Sequence, residues 1–329
     1  MTAPALEVSR AAAWRAAIPA RLNLALLVGA VMVTAVCLYL ASHTGSWAVM
    51  IAAAIAFSFV NNTIFSLMHE AVHGVFHPNA AINEAAGRIA AALFPTAFSL
   101  QRTFHLAHHR NNRSDCERFD YYGPRENRLL KFAQWYCILT GLYWAASPVF
   151  CVIYALTARI VPWTRLLKPD NRFGQQTSAE PFLESLRSVH PRTARLDIAL
   201  SVAIQGAMIY LLDLSFAGWA LCYACFAVNW SSLQYTDHAW SPRDMREGAW
   251  NLRFWPITQA IFLNYNLHLV HHRQPDIPWI HLRRFVRHGD PNPSFWPIYL
   301  SLWGGARPAP ATVQTVAPQG VAALTHAKP

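Results

Sequence analysis

The feature that most constrains the fold is an uncharged stretch near the N-terminus. From Leu22 to His69 the chain contains no Lys, Arg, Asp or Glu. Because a helix needs roughly 20 apolar residues to cross a bilayer, this stretch is long enough for two crossings. The polar turn at Ser42–Ser46 divides it into predicted spans Leu22–Ala41 and Trp47–Ser66. The second apolar run follows the first without a cleavage-type break, which argues against a signal peptide and indicates a polytopic membrane protein.

The composition agrees with this interpretation. Hydrophobic residues make up 54% of the 329 residues and charged residues 13%, about half of what a soluble domain carries. A net charge of +10 would suit nucleic-acid binding, but the basic residues flank apolar segments and form no aromatic-interleaved stripe. Positive-inside placement explains them better, so we predict no nucleic-acid partner. The six cysteines lie mostly in apolar runs, as small packing residues do.

The middle of the chain is predicted to dip into the membrane without crossing it. Residues 89–101 are apolar but too short to span, and Pro95 lies in their middle, which predicts a re-entrant or interfacial helix. Phe132–Ala158 carries no charge, yet the basic segment Arg159–Asp197 that follows it is predicted to be cytoplasmic. The stretch should therefore enter and return, with a break near Ser147–Pro148.

Two further spans, Ile198–Leu212 and Leu214–Thr236, complete the prediction of four crossings plus a hairpin. The predicted fold is all-α: a polytopic membrane helical bundle of about four transmembrane helices with re-entrant or interfacial helices and a His-rich cytoplasmic cap. We divide the chain into a cytoplasmic interfacial N-terminus (1–21), an integral-membrane domain (22–304) and a disordered Pro/Ala/Thr/Gln tail (305–329).

The motif HEAVH at residues 69–73 has two interpretations. As H-E-x-x-H on a helix it is typical of zinc metalloproteases, with His69 and His73 as ligands and Glu70 as general base. As a bare H-x-x-x-H pair it is two imidazoles one helical turn apart, which iron, zinc, copper and nickel all accept.

The pattern H-x-x-H-H occurs twice, as HLAHH and HLVHH. Positions i, i+3 and i+4 of a helix share one face, so each copy presents its imidazoles to one point. With 15 histidines in 329 residues, two copies should arise by chance in roughly one chain in a thousand. HEAVH and these copies provide eight candidate ligands, whereas a catalytic zinc takes about three plus a water. Eight suit two metals, and a pair of irons has the redox capacity to activate O₂ that zinc lacks. The six histidines of the two copies are His105, His108, His109, His268, His271 and His272.

Two other classes of protein remain open at this point. An intramembrane zinc protease needs a third ligand, typically an acid on a later helix, and leaves both H-x-x-H-H copies unexplained. A metal carrier or a bis-histidine haem protein is the non-catalytic alternative, and haem would need facing single histidines within the spans.

The chain resembles the membrane fatty acid desaturase/hydroxylase superfamily. The three histidine boxes of that superfamily, H-x(3–4)-H, H-x(2–3)-H-H and (H/Q)-x(2–3)-H-H, are matched in order by HEAVH, HLAHH and HLVHH. The gap between the first two boxes is short, and the gap before the third is long enough to cross the membrane. HHRNNRSDCERFDY and NYNLHLVHHRQPDIPW also resemble the surroundings of the second and third boxes, so that the resemblance covers about residues 60–285.

The resemblance implies four crossings, a cytoplasmic cap and a nonhaem diiron centre that uses O₂ and two external electrons on an unactivated C–H bond. The box histidines would all be metal ligands. Members of the superfamily commonly have a further histidine at the end of the final span, where this chain has His238 in QYTDHAW. In acyl-CoA desaturases an Asn one turn earlier contributes through water, and Gln234 stands at that position here.

Carboxylates and other polar groups beside the boxes are expected to orient the ligating imidazoles. If HEAVH is a metal-binding box, Glu70 loses the role of general base and becomes such a support. His77 lies four residues beyond His73, on the same helix face. The full set of predicted supporting residues is Glu70, His77, Asp115, Asp120, Gln234 and Asp237.

The resemblance implies a lipid substrate, and we predict a fatty acyl or lipid desaturase. A carotenoid or lipid hydroxylase or ketolase is the alternative, because the two outcomes share ligands and differ in where the substrate carbon lies. An apolar tunnel is expected between the spans and the segments Phe94–Leu100 and Trp135–Val149. The Ala/Arg-rich composition predicts a bacterial inner membrane, with the active site on the cytoplasmic side.

The electrons are expected from a separate ferredoxin- or cytochrome-type protein. The sequence contains neither a His-Pro-Gly-Gly cytochrome motif nor a flavin or nicotinamide fingerprint. A basic cytoplasmic face could bind an acidic donor, although anionic lipid headgroups explain the same charges equally well. The residues of that face are Arg110, Arg113, Arg283, Arg284 and Arg287.

Overall fold

The computed structural model describes residues 17–124, 126–161, 163 and 179–309. The predicted N-terminal segment is therefore described only from residue 17, and the predicted disordered tail only as far as residue 309. Within the basic segment Arg159–Asp197, residues 164–178 also lie outside the described part of the chain.

Helices dominate the described chain, which confirms the predicted all-α class. Two short strands, β1 (Tyr121–Tyr122) and β2 (Arg307–Pro308), pair in parallel and close the cap. Two 3₁₀ segments cover Leu186–Ser188 and Trp279–Phe285. The helices are α1 (Ala20–His43), α2 (Trp47–Val72), α3 (Ala80–Leu93), α4 (Phe98–Asn111), α5 (Arg128–Leu139), α6 (Leu142–Thr157), α7 (Ala179–Ser185), α8 (Pro191–Leu211), α9 (Phe216–Thr236), α10 (Pro256–Ile261), α11 (His268–Arg273) and α12 (Phe295–Leu302).

Three of the described helices, α1, α2 and α8, are long and apolar enough to cross a membrane. The pair α5 and α6 would make a fourth span if counted as one, but the two helices are bent by 93° at their junction. Helix α9 has nearly the bounds predicted for the last span. It is not among the three because Asn229, Gln234 and two serines lower the hydropathy of its C-terminal half. These helices form a polytopic bundle, as predicted.

The break in the predicted hairpin lies earlier than expected. We placed it near Ser147–Pro148, but helix α6 continues through Pro148 and the chain turns at Thr140–Gly141. Gly141 has φ +81°, and a Cβ there would lie 2.7 Å from the backbone carbon of Ala227. The turn therefore requires glycine, whereas proline removes a single hydrogen bond, which a helix can tolerate.

The apolar segment 89–101 forms a corner between two helices, where we predicted a single re-entrant or interfacial helix. Helix α3 ends at Leu93, the chain turns around Pro95, and α4 begins at Phe98. Gly87 on α3 leaves room for the ring of Phe98, which lets the two helices approach closely. The corner brings the second histidine box, at the end of α4, back towards α2.

Hydrogen bonds from the bundle hold the cap in place. On α2, Thr63 Oγ1 donates to the carbonyl of Ile261 at 2.7 Å, and Ser66 Oγ donates to the carbonyl of Phe262 at 3.1 Å. On α1, buried Asn23 accepts from Trp279 Nε1 at 2.9 Å. These bonds fix the segment around the third histidine box against the ends of the first two spans.

Candidate metal centre

All three histidine boxes lie where helices end. Helix α2 runs beyond the predicted limit of Ser66 to Val72, so that His69 lies in its last turn and His73 caps it. The second box occupies the last two turns of α4, and the third box forms most of α11. His238 follows directly after α9 and its cap. The C-terminal ends of α2, α4 and α9 therefore meet at the histidines, and the negative ends of these helix dipoles favour a cation there.

Five imidazoles form one cluster, which we call the five-histidine cluster. Their candidate ligand atoms all lie within 4.8 Å of one another. The Nε2 atom of His105 lies 2.9 Å from Nε2 of His73 and 2.9 Å from Nε2 of His109. Nε2 of His109 lies 3.0 Å from Nε2 of His271. The members are His69, His73, His105, His109 and His271.

The remaining four imidazoles form a second cluster, the four-histidine cluster. Nε2 of His238 lies 3.2 Å from Nε2 of His108 and 3.0 Å from Nε2 of His268. Nε2 of His272 lies 3.2 Å from Nε2 of His268. The two clusters adjoin, since the rings of His109 and His272 stack with centroids 4.3 Å apart. The structure thus brings together all nine histidines predicted as ligands.

The spacing of these nitrogens suits metal ions. Imidazole nitrogens bind metals at about 2.0–2.1 Å, so two such ligands at right angles lie about 2.9 Å apart. The observed Nε2–Nε2 distances of 2.9–3.2 Å match that separation in both clusters. A neutral imidazole has one N–H, and in eight of the nine histidines it is the same ring atom, Nε2, that converges. The donor set therefore fits a metal in each cluster.

Seven of the histidines, all outside the membrane spans, are in the neutral state that metal binding requires. Burial, followed by repulsion between neighbouring protonated rings, lowers their pKa well below 6.5. For His238 the causes are burial and then the charge of His108. These rings are neutral at pH 7 and offer the lone pair that a metal needs. The rings concerned are those of His73, His105, His109, His238, His268, His271 and His272.

In three of the histidines the outer ring nitrogen, Nδ1, has a polar partner, and this contact turns Nε2 towards the centre of the cluster. His108 Nδ1 donates to Glu117 Oε1 at 2.9 Å, and His238 Nδ1 donates to the carbonyl of Gly248 at 2.8 Å. The amide of Asn112 lies 3.4 Å from Nδ1 of His272. Sequence reasoning missed Glu117, because it stands nine residues after His108 in a loop where no helical spacing marks it.

Three of the acids predicted to orient the histidines instead bind groups outside the two clusters. Asp115 accepts from Arg243 at 2.5 Å, and buried Asp120 accepts from Arg113 at 2.6 Å. Buried Glu70 accepts from the backbone N–H of Trp279 at 3.0 Å, so it ties α2 to the chain after the third box. The bonds of these three acids therefore brace the loops around the centre.

The other three predicted supporting residues are His77, Gln234 and Asp237, and each has different surroundings. His77 accepts from the backbone N–H of Asn79 through Nδ1, so it shapes the turn before α3. Gln234 accepts from the hydroxyl of Tyr265 at 3.2 Å. The ring of Tyr265 lies 5.0 Å from the ring of His69 in one cluster and 5.0 Å from that of His268 in the other. Asp237 is buried beside the four-histidine cluster.

Fold and site together define an integral membrane protein with two adjoining histidine clusters that could each hold a metal ion. The family model described as Fatty acid desaturase matches residues 44–292, well over half of the chain. The chain belongs to the fatty acid desaturase family. No curated protein matches it. Membership makes it an oxidoreductase with a lipid substrate in a membrane, and it leaves the zinc-protease interpretation of HEAVH without support.

Proposed function

We propose that the chain is a diiron lipid desaturase, which removes two hydrogens from neighbouring carbons of an acyl chain at the expense of O₂ and two external electrons. The observation that carries the proposal is the division of nine converging imidazoles into adjoining clusters of five and four. A single zinc or a haem would leave most of these ligands without a role. When bound, two irons supply the redox chemistry that activates O₂.

The protein's own contribution is to fix the ligands before the metal arrives. Glu117 and the carbonyl of Gly248 hold two rings by their outer nitrogens, and burial lowers the pKa of His238 and His271 so that these rings are neutral at pH 7. Outer bonds of this kind set ring orientation and raise ligand basicity. The Tyr265–Gln234 pair lies between the clusters and holds the phenol proton towards Gln234 Oε1.

An aromatic wall on the membrane side of the histidines supports an apolar substrate. Phe65, one turn before His69, packs against Phe94 at 5.4 Å and against both Trp230 and Tyr265 at 5.6 Å between centroids. An acyl chain that approaches from the bilayer would meet these rings before the metals, and they would exclude water from the reacting carbon.

The segments predicted to wall the tunnel contribute to the same region. Trp144 lies 6.2 Å from Phe94, and Tyr143 stacks parallel to Trp230 at 6.4 Å. Trp135 instead packs into the cap, where its Nε1 donates to the carbonyl of Leu302 at 2.7 Å. The proposed tunnel is therefore lined by the start of α6, with α5 behind it.

We also propose a separate, acidic electron donor that binds the cap on the cytoplasmic side. Arg284 and Arg287 are exposed in and just after the 3₁₀ segment that follows the third box, and exposed Arg283 donates to Gln259. Opposite charge would steer such a donor to this face. Arg113 does not belong to the face, contrary to the sequence-based expectation, because it is 3% exposed and bonded to Asp120.

Product analysis tests the proposed reaction. The chain and its His73→Ala variant would be expressed in a host supplied with fatty acids or carotenoids, and lipids compared by mass spectrometry. We expect products that have lost two hydrogens with the wild-type chain only. Products that have gained an oxygen atom would assign the hydroxylase alternative. Identical lipids from both strains, in membranes that contain the protein, would contradict the proposal.

A further inference from the structure

The buried carboxylate of Asp237, beside the four-histidine cluster, has no hydrogen-bond partner in the described part of the chain. Asp237 caps α9 immediately before His238, and its side chain is completely buried. Neither Oδ1 nor Oδ2 has a hydrogen-bond partner among the residues that the structure describes. Burying an unpaired carboxylate away from water is strongly unfavourable, so such groups are normally paired with a cation or bound to a metal.

The direction in which Asp237 faces is informative. Its Oδ2 lies 3.6 Å from Nε2 of His268, and its Oδ1 lies 4.0 Å from Nε2 of His238. These are the inward nitrogens of the four-histidine cluster, which lie 3.0 Å from each other. A carboxylate that orients a ligand takes the outer nitrogen instead, as Glu117 does at Nδ1 of His108. Asp237 therefore lies on the ligand side of the rings.

The number of candidate metal-binding atoms in each cluster also favours a ligand role for Asp237. The first cluster offers five imidazoles and the second only four. With one carboxylate oxygen added, each cluster would offer five donors. A divalent metal bound there would offset the charge of the Asp237 carboxylate.

We propose that Asp237 is itself a ligand of the metal in the four-histidine cluster, which makes that site a four-nitrogen, one-oxygen site beside an all-nitrogen one. This inference rests on the proposed diiron function. A carboxylate is a harder donor than imidazole and favours the harder, more oxidised metal ion. The two irons are then chemically distinct, and the one beside Asp237 is the more readily oxidised.

Mössbauer spectroscopy on the full-length chain tests the assignment without measuring turnover. The protein would be purified in detergent from cells supplied with ⁵⁷Fe and its iron counted per chain. We expect two quadrupole doublets of equal area in the wild type. Asp237→Asn should lose the doublet of the four-histidine site or retain that iron at least 10-fold less well against a chelator, with the other doublet unchanged. Asp115→Asn is the matched control, because that acid binds Arg243, and it should keep both doublets.

The outcomes separate the inference from the proposed function. Asp237→Asn with two irons, wild-type doublets and wild-type chelator resistance would overturn the inference and leave the function standing. If Asp237→Asn does not accumulate folded, Asp237→Glu decides: two irons with one doublet shifted supports ligation, and two unshifted doublets refute it. A wild-type chain that does not bind two irons would overturn the proposed function, and this inference with it.

Discussion

Removing the carboxylate of Glu117 should loosen one of the two proposed irons and leave the other in place. Glu117 is only 2% exposed, and its Oε1 holds Nδ1 of His108 at 2.9 Å. In Glu117→Ala the ring of His108 loses this bond and is free to rotate. A hydrogen bond to a charged group contributes about 1.5–3 kcal/mol. Because 1.4 kcal/mol is a factor of ten in binding, the iron held through His108 should bind roughly 10- to 100-fold more weakly.

The assay is chelator competition on the purified full-length chain, with the iron retained per chain measured at each chelator concentration. Wild-type protein should lose both irons at high chelator, whereas Glu117→Ala should release one of them at a concentration about 10- to 100-fold lower. Glu126→Ala is the control, since that acid lies in the same loop but binds Arg118 and the backbone of Gly123. A Glu117→Ala release curve that coincides with the wild-type curve would refute the reasoning, and an equal loss in the control would assign the effect to the loop fold.

Three further predictions concern the first box, the pH response and helix packing. Glu70→Gln should keep both irons and measurable activity because its amide oxygen can still accept the same backbone N–H, whereas His73→Ala should lose metal and turnover; iron counts and product yields on both variants check this. Stability of the metal-free chain should fall as pH drops below 6.5, since the folded imidazoles have lowered pKa values and the unfolded chain then binds more protons; thermal unfolding followed from pH 8 to pH 5 measures the slope. Gly218→Ala should lower the free energy of unfolding by about 1–3 kcal/mol, because its Cβ would lie 2.6 Å from the carbonyl oxygen of Ala41. The control is Gly206→Ala, which should not destabilise the protein because Gly206 is exposed and has open space around it. Both variants would be heated in steps, and the folded fraction that remains would be measured by size-exclusion chromatography.

The sequence predicted the long spans from apolar runs and the eight box histidines from helical spacing, whereas His238 was predicted only through the resemblance to the superfamily. Apolar runs of span length predict α1 and α9 to within two residues, whereas α2 continues six residues beyond its predicted end and α8 begins seven residues before its predicted start. The spacings i, i+3 and i+4 place imidazoles on one helix face, and the helix ends then bring the boxes together. The division of the histidines into clusters of five and four was not predicted, since it depends on how α2, α4, α9 and α11 meet in space.

The position of the hairpin turn and the partners of the acidic residues were not predicted, mainly because they depend on contacts that the sequence does not mark. The hairpin turns at Gly141 because the backbone of Ala227 approaches there, and nothing near residue 141 in the sequence marks that approach. Asp115 and Asp120 were predicted as ligand supports from their position, yet Asp115 binds Arg243 from a distant segment and Asp120 binds Arg113, seven residues before it. Glu117, which does bind His108, differs from them in sequence only by its place in the loop.

The metal content of the full-length chain tests the central claim most directly. Iron and zinc would be counted per chain by mass spectrometry on protein purified without added metal, alongside an optical spectrum. The two clusters predict two irons per chain, no stoichiometric zinc and no haem absorption. One zinc per chain, or a Soret band, would contradict the account.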